Sequence, residues 1–254
     1  MPDDVLISVR DLTTGYGDQL IHEHLSFEVR RGEILMVVGA SGCGKSTLLR
    51  HLIGVQQPLA GEIWLEGENL TASRGAARTR ILRKFGVLFQ SGALFGSLTL
   101  AENIALLLDE YTSLPQATKE VITRIKLALV NLSGYENYLP SQISGGMKKR
   151  AGLARAMALD PLLLFFDEPS AGLDPITSAE LDRLILQLNA SLGATMVIVT
   201  HELASIFAVA QRVIMLDKNS KGILAEGRPD ALRDHAPNPV VHAFFNRELL
   251  PVTP

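Results

Sequence analysis

Residues 34–53, ILMVVGASGCGKSTLLRHLI, change character twice within a short span. Ile34–Val38 is a continuous apolar run, which suits a strand covered on both faces, and residues 46–53 carry the spacing of a helix. Between them, Gly39-Ala40-Ser41-Gly42-Cys43-Gly44-Lys45-Ser46 follows the pattern G-x-x-x-x-G-K-[ST], with Thr47 next. Glycines at these places permit the conformations that turn successive backbone N–H groups inward around a phosphate, and the start of the helix adds partial positive charge. Lys45 would neutralise β/γ-phosphate charge, and the Ser46 hydroxyl would ligate Mg²⁺. An ordinary glycine turn is the bland alternative; the strand before it and the helix after it argue against that reading.

Outward from this segment the chain alternates strand and helix patterns. Residues 6–9 and 25–29 alternate apolar with polar positions and are broken by Gly15, Gly17 and Gly32, as half-buried antiparallel strands are; residues 61–66 read the same way. The spacing turns helical from 100 to 132 and, after Pro140, again from 147 to 159, so the middle of the chain is predicted to be α-rich. Residues 162–166, Thr195–Val199 and 213–216 are further strand candidates, the first two separated by a helix over 176–192. Strands alternating with helices imply a parallel α/β sheet. The tail after Pro237 is punctuated by prolines and is expected to be peripheral. The basic cluster Arg74, Arg78, Arg80, Arg83 and Lys84 reads by default as a solvated helix face.

Composition narrows the function classes. With 254 residues, 24 Lys+Arg against 27 Asp+Glu and a net charge of −3, the chain offers no basic footprint for nucleic acid. It is long enough for one large domain or two small ones, and too apolar for intrinsic disorder. Apolar residues make up 47%; counted with glycine in place of tyrosine they reach about 53%, above the usual ~45–50%, which hints at a buried partner face. A lone cysteine, Cys43, and a start without a basic or apolar leader pattern point to a reducing, cytoplasmic setting. The apolar runs are strand-length, well short of the ~20 residues that span a bilayer.

The strand at 162–166 ends in Asp167-Glu168, which puts two carboxylates at the carboxyl end of a buried strand, where open α/β sheets bind ligands. Asp167 fits a Mg²⁺ anchor and Glu168 a base that polarises the attacking water. With the phosphate cradle, they read as a nucleotide hydrolase.

On these residues and four further motifs the chain resembles the ATP-binding-cassette (ABC) ATPases over nearly its whole length. Ser144-Gly145-Gly146-Met147-Lys148 resembles that family's signature motif, Gln90 its Q-loop glutamine, Ser170-Ala171-Gly172-Leu173-Asp174 its D-loop, and His201, directly after the 195–200 segment, its switch histidine. Tyr16 stands where the family has an aromatic that stacks on adenine. Taken singly, a His after a strand or a Tyr near a glycine is more often structural; order and spacing are what give them roles.

The resemblance implies an α/β P-loop NTPase fold with a RecA-like parallel-sheet core, an N-terminal antiparallel β subdomain and an inserted α-helical subdomain over about 91–160, all within one domain spanning 1–254. It implies ATP held with Mg²⁺ by residues 39–47, Tyr16 and Asp174, the metal by Ser46, Gln90 and Asp167, and catalysis by Lys45, Gln90, Glu168 and His201. It also implies pairing. Ser144, Gly145 and Gly146 open a helix and form a second anion site that meets the γ-phosphate held by another copy, so a two-fold dimer has two composite sites. Partners implied are a second copy of the chain and a membrane permease, whose coupling helix would sit in a groove near residues 93–100. The location implied is the cytoplasmic face of the inner membrane.

Met147 departs from the signature, where Gln is usual. With Phe89-Gln90-Ser91-Gly92-Ala93-Leu94-Phe95, it is similar to the subgroup that energises MCE-type lipid transport, with a permease, a periplasmic MCE protein and, in some relatives, a small accessory regulator. An importer of another small solute, such as an amino acid, is the alternative. DNA-repair and chromosome-organising relatives insert long coiled coils between cradle and signature, and translation-associated ones carry two cassettes; this chain has neither. Cys43, in the cradle at a helix N-terminus that could lower its pKa, is expected to react with maleimide unless ATP protects it; an inert buried thiol is the alternative.

Overall fold

The computed structural model describes residues 4–17 and 19–249. The apolar run at 34–38 forms β3 (Ile34–Val38), buried at every position. It lies inside a six-stranded sheet with β6 (Phe85–Leu88), β7 (Leu163–Asp167), β8 (Thr195–Val199), β9 (Arg212–Leu216) and β10 (Ile223–Gly227), in the order β10-β9-β3-β8-β7-β6. All neighbours are parallel except β10, which runs antiparallel at the edge. Side chains of a strand alternate between faces, and here they feed two cores. Ile34, Met36 and Val38 join Leu164, Phe166 and Ile198 on one side; Leu35 and Val37 join Leu163, Phe165 and Val197 on the other. Burial on both faces is why the run is continuously apolar.

The second core is closed by an antiparallel sheet, β2-β1-β4-β5, made of β1 (Val5–Tyr16), β2 (Gln19–Arg30), β4 (Ala60–Leu65) and the short β5 (Glu68–Asn69). Between the sheets lies α1 (Lys45–Leu52), with Leu48, Leu49 and Leu52 buried. β1 and β2 are longer than the alternation at 6–9 and 25–29 predicts. Register shifts along their pairing, with Asp11 and His24 at positive φ, break the period that marks a strand in sequence.

The helical stretch at 100–132 is two helices, α3 (Leu100–Tyr111) and α4 (Gln116–Leu129), parted by Thr112-Ser113-Leu114-Pro115. A reciprocal capping box between Thr99 and Glu102 starts α3. These helices pack with each other and with α5 (Gly145–Ala156), while α6 (Pro175–Leu192) and α7 (Leu203–Val209) flank the parallel sheet.

Two expectations are corrected. The tail is not peripheral: after α8 (Pro229–His235), Asn238 caps α9 (Pro239–Asn246), whose Val241 and Phe245 are buried in the first core. Proline at the first helical position starts a helix rather than breaking one; Phe245 then stands edge-on to Phe207 with ring centroids 6.1 Å apart. The basic cluster is not a free solvated face. Around α2 (Gly75–Leu82), Lys84 pairs with Glu66 and Glu68 at 2.7 Å each, Arg80 with Glu68, and Arg74, Arg78 and Arg83 donate to backbone carbonyls.

Candidate active site

Parallel strands deliver their carboxyl ends to one edge of the sheet, and a cavity of about 650 Å³ opens there. From β3 and α1 it takes Gly39 to Gly42 and Gly44 to Thr47; beyond β6 comes Gln90, beyond β7 Glu168, and beyond β8 His201. The cradle forms because two glycines stand where no other residue fits. Gly39 has φ 144°, and a Cβ on it would lie 2.4 Å from the Leu216 carbonyl oxygen; Gly44 has φ 94° and caps α1. The Lys45 side chain is buried and folds back over the loop, its Nζ donating to the carbonyls of Gly39 (2.8 Å) and Ala40 (3.2 Å).

Ser46 Oγ donates to Asp167 Oδ1 across 3.2 Å, which ties the start of α1 to the end of β7. Burial pushes the Asp167 carboxyl above its ordinary pKa, the neighbouring Glu168 charge adds to the rise, and the Ser46 bond opposes it. Glu168 adopts φ 46°, unusual for a residue with a Cβ. Its amide donates to the Val199 carbonyl (2.8 Å), and its Oε1 meets His201 Nδ1 at 2.9 Å. A carboxylate only accepts, so that ring nitrogen carries the proton.

Other predicted site residues lie outside this cavity. Tyr16, at the end of β1, is 46% exposed and sits against α1, with Arg50 Nη1 3.0 Å from its hydroxyl; bonding to Thr47 and then Arg50 lowers its pKa. Ser144 and Gly145 are exposed at the start of α5, where Ser144 Oγ accepts from the Met147 amide at 3.2 Å. Gly146 packs against α6: a Cβ there would lie 2.4 Å from Thr177 Cγ2. Asp174 spends its carboxylate on capping α6, accepting from the amides of Ile176 and Thr177. Within one chain, then, the structure gathers Lys45, Ser46, Gln90, Glu168 and His201, and leaves Ser144 to Gly146 beside the D-loop instead.

Cys43 corrects the sequence reading. The thiol is buried at 1% exposure beneath the loop, close to Gly39, and does not line the cavity. Burial pushes its pKa up, more than the nearby Lys45 charge lowers it, so it lacks the activated character expected of it.

Sequence reasoning missed several contributors, among them Ile21, which lines the cavity. Phe244 of α9 lines the cavity; the capped apolar pattern from Asn238 to Phe245 was its available signal. Lys149 of α5 is buried and donates to the Glu168 carbonyl at 3.3 Å, with desolvation lowering its pKa against the pull of Asp167 and Glu168. His22 is wholly buried beneath the cradle. Among the described residues, no cluster of three or more His, Cys, Asp or Glu is placed to hold a metal by itself, and no helix is long and apolar enough to cross a membrane.

Comparison with known proteins agrees with this geometry. The family model for ABC transporters matches residues 22–171. The MlaF ATP-binding protein of the intermembrane phospholipid transport system of Escherichia coli K12 is 40% identical over 242 residues, covering 95% of this chain and 88% of that protein. The probable ribonucleotide transport ATP-binding protein Mkl of Mycobacterium leprae is 41% identical over 246 residues, covering 97% and 70%. Among solved structures, the ATP-binding cassette MJ0796, as a dimer in a post-hydrolysis state with ADP and Pi, superposes with a TM-score of 0.79 at 26% identity, covering 88% of this chain and 98% of that one.

Proposed function

Because this chain belongs to the ABC transporter family, as an ATP-hydrolysing subunit, we propose that it powers phospholipid transport across a bacterial envelope through a separate permease and an MCE-type protein. The chemistry rests on one observation: Glu168 and His201 are joined at 2.9 Å in the cavity that holds Lys45 and Gln90. In this reading Lys45 exchanges the Gly39 and Ala40 carbonyls for phosphate oxygens. Glu168 takes the proton of the attacking water, and His201, through its Nδ1–H, holds the Glu168 carboxylate in place beside the γ-phosphate. Tyr16 stacks on the adenine.

Ser46, Asp167 and the Gln90 amide offer only oxygen donors from the protein, which fits Mg²⁺, an ion that takes few protein ligands beside phosphate oxygens. When bound it supplies charge neutralisation on the β- and γ-phosphates. Ser144 and Gly145, exposed at the start of α5, with Gly146 packed behind them against α6, complete the site of a second copy, and Asp174 lines the same junction. We take the chain as one nucleotide-binding domain with a helical subdomain over about 91–160, peripheral on the cytoplasmic face of the membrane.

Supporting the phospholipid reading are the two MlaF proteins, from Escherichia coli and Haemophilus influenzae, that are 40% and 37% identical to this chain. The test is purification of the tagged chain with its native membrane partners. A permease and an MCE protein should accompany it, and proteoliposomes of that complex should move fluorescent phospholipid only with hydrolysable ATP. Recovery of an amino-acid permease instead would select the importer reading.

A further inference from the structure

A buried polar chain that the chemistry above does not use runs from the antiparallel sheet to the cradle. Thr14 Oγ1 of β1 lies 2.7 Å from His22 Nδ1 of β2, and His22 Nε2 lies 3.1 Å from the Cys43 carbonyl oxygen. Thr14 and His22 are fully buried and Cys43 nearly so. A carbonyl only accepts, so Nε2 carries the ring proton and Nδ1 accepts from the Thr14 hydroxyl; the tautomer is determined by its two neighbours. The same ring edge fills the space beside the next residue: a Cβ on Gly44 would lie 2.4 Å from Nε2 and 2.5 Å from Cε1.

The consequence concerns one peptide unit. In a planar trans peptide the C=O and the following N–H point in opposite directions. With the Cys43 carbonyl drawn down onto His22, the Gly44 N–H is turned the other way, toward the cavity that Gly44 lines. Glycine at 44, with φ 94°, gives this peptide the freedom to flip, so something outside the loop must hold it.

We propose that His22 is a positioning residue of the nucleotide site, locking the Cys43–Gly44 peptide so that the Gly44 N–H faces the phosphates, with Thr14 fixing the tautomer that does so. This rests on the cavity being an ATP site, and the experiment separates the two ideas. Binding of a fluorescent ATP analogue with Mg²⁺ is measured for the wild-type chain and for His22→Phe, His22→Gln and Thr14→Val, with KM and kcat for hydrolysis.

His22→Phe keeps the ring volume and strands the carbonyl; its affinity should fall about tenfold, with KM rising and kcat staying within about twofold. His22→Gln, whose amide nitrogen can stand in for Nε2, should recover most of the affinity, and Thr14→Val should lie between. A ring that served only packing would instead lower the melting temperature of Phe and Gln variants alike without this split. Equal affinity of His22→Phe and wild type overturns the proposal, as does a His22→Gln protein no better than His22→Phe. If His22→Phe does not fold, wild-type affinity in Thr14→Val overturns it. A wild-type chain that binds no nucleotide overturns the ATP site itself.

Discussion

The cradle and the signature segment are both helix starts rich in glycine, yet the chain treats them differently. At the cradle, loop, carboxylates and imidazole arrive from three strand ends and touch: Ser46 with Asp167, Glu168 with His201, Lys45 with the loop it closes. At the signature, Ser144 and Gly145 stand exposed, and Ser144 has only its own helix to cap. The first half is assembled by folding; the second is a helix start whose first N–H groups meet no anion among the described residues. On the function proposed above, a lone chain then has the equipment to bind a triphosphate but half the equipment to act on it.

The sharpest way to break this comparison is at Glu168. Glu168→Gln should cut turnover about a thousandfold while nucleotide still binds, the loss expected when a general base is removed; light scattering should then find an ATP-trapped dimer. Near-normal turnover would take Glu168 out of the base role. Gly145→Asp tests the other half. Added atoms fit there, the nearest being Leu173 Cδ2 at 3.9 Å from a built Cβ, but a negative charge would face the second copy's phosphate. Turnover should drop about a hundredfold, with single-chain ATP affinity unchanged; weakened ATP binding in the isolated chain would place Gly145 in the wrong half.

A smaller effect separates the halves by pH. Burial holds His22 and His51, beneath and within the cradle helix, below the ordinary histidine pKa, and the His51 charge adds to the depression at His22. The unfolded chain then binds more protons once pH falls below about 6.5. Stability is full above that value and declines as pH drops toward the lower folded pKa values. The groups facing these rings are Thr14, the Cys43 carbonyl, the Thr47 carbonyl and Gln57. His24, exposed and paired with Asp11 at 2.7 Å, has a raised pKa and opposes the trend. Hydrogen exchange at pH 7.5 and 5.5 should show α1 losing protection before α5; equal loss in both would deny the difference.

What the sequence made legible was local in origin. β3, β7 and β8 are read from unbroken apolar runs, and Gly39 to Ser46, Asp167-Glu168 and His201 each lie within a few residues of such a strand's end. What stayed hidden depends on distant pairing. Nothing near His22 says that its ring will meet Cys43, twenty-one positions on, nor that Lys149 will reach Glu168. The tail after Pro237 reads as peripheral because the burial of Phe245 matters only once α7 provides Phe207. Cys43 misled for the same reason: helix-start position is visible in sequence, and the burial that outweighs it is not.

The directionality of the large sheet has a practical side. Five of its strands run the same way, so the turns entering them, near Gly32, Asp160 and Gly193, gather at the end remote from the phosphates. Asp160 and Gly193 border one shallow surface cleft there, away from the residues that handle nucleotide. That end is the place to graft a dye, a tag or a reporter domain, where the attachment would ride on the rigid scaffold without entering the reaction.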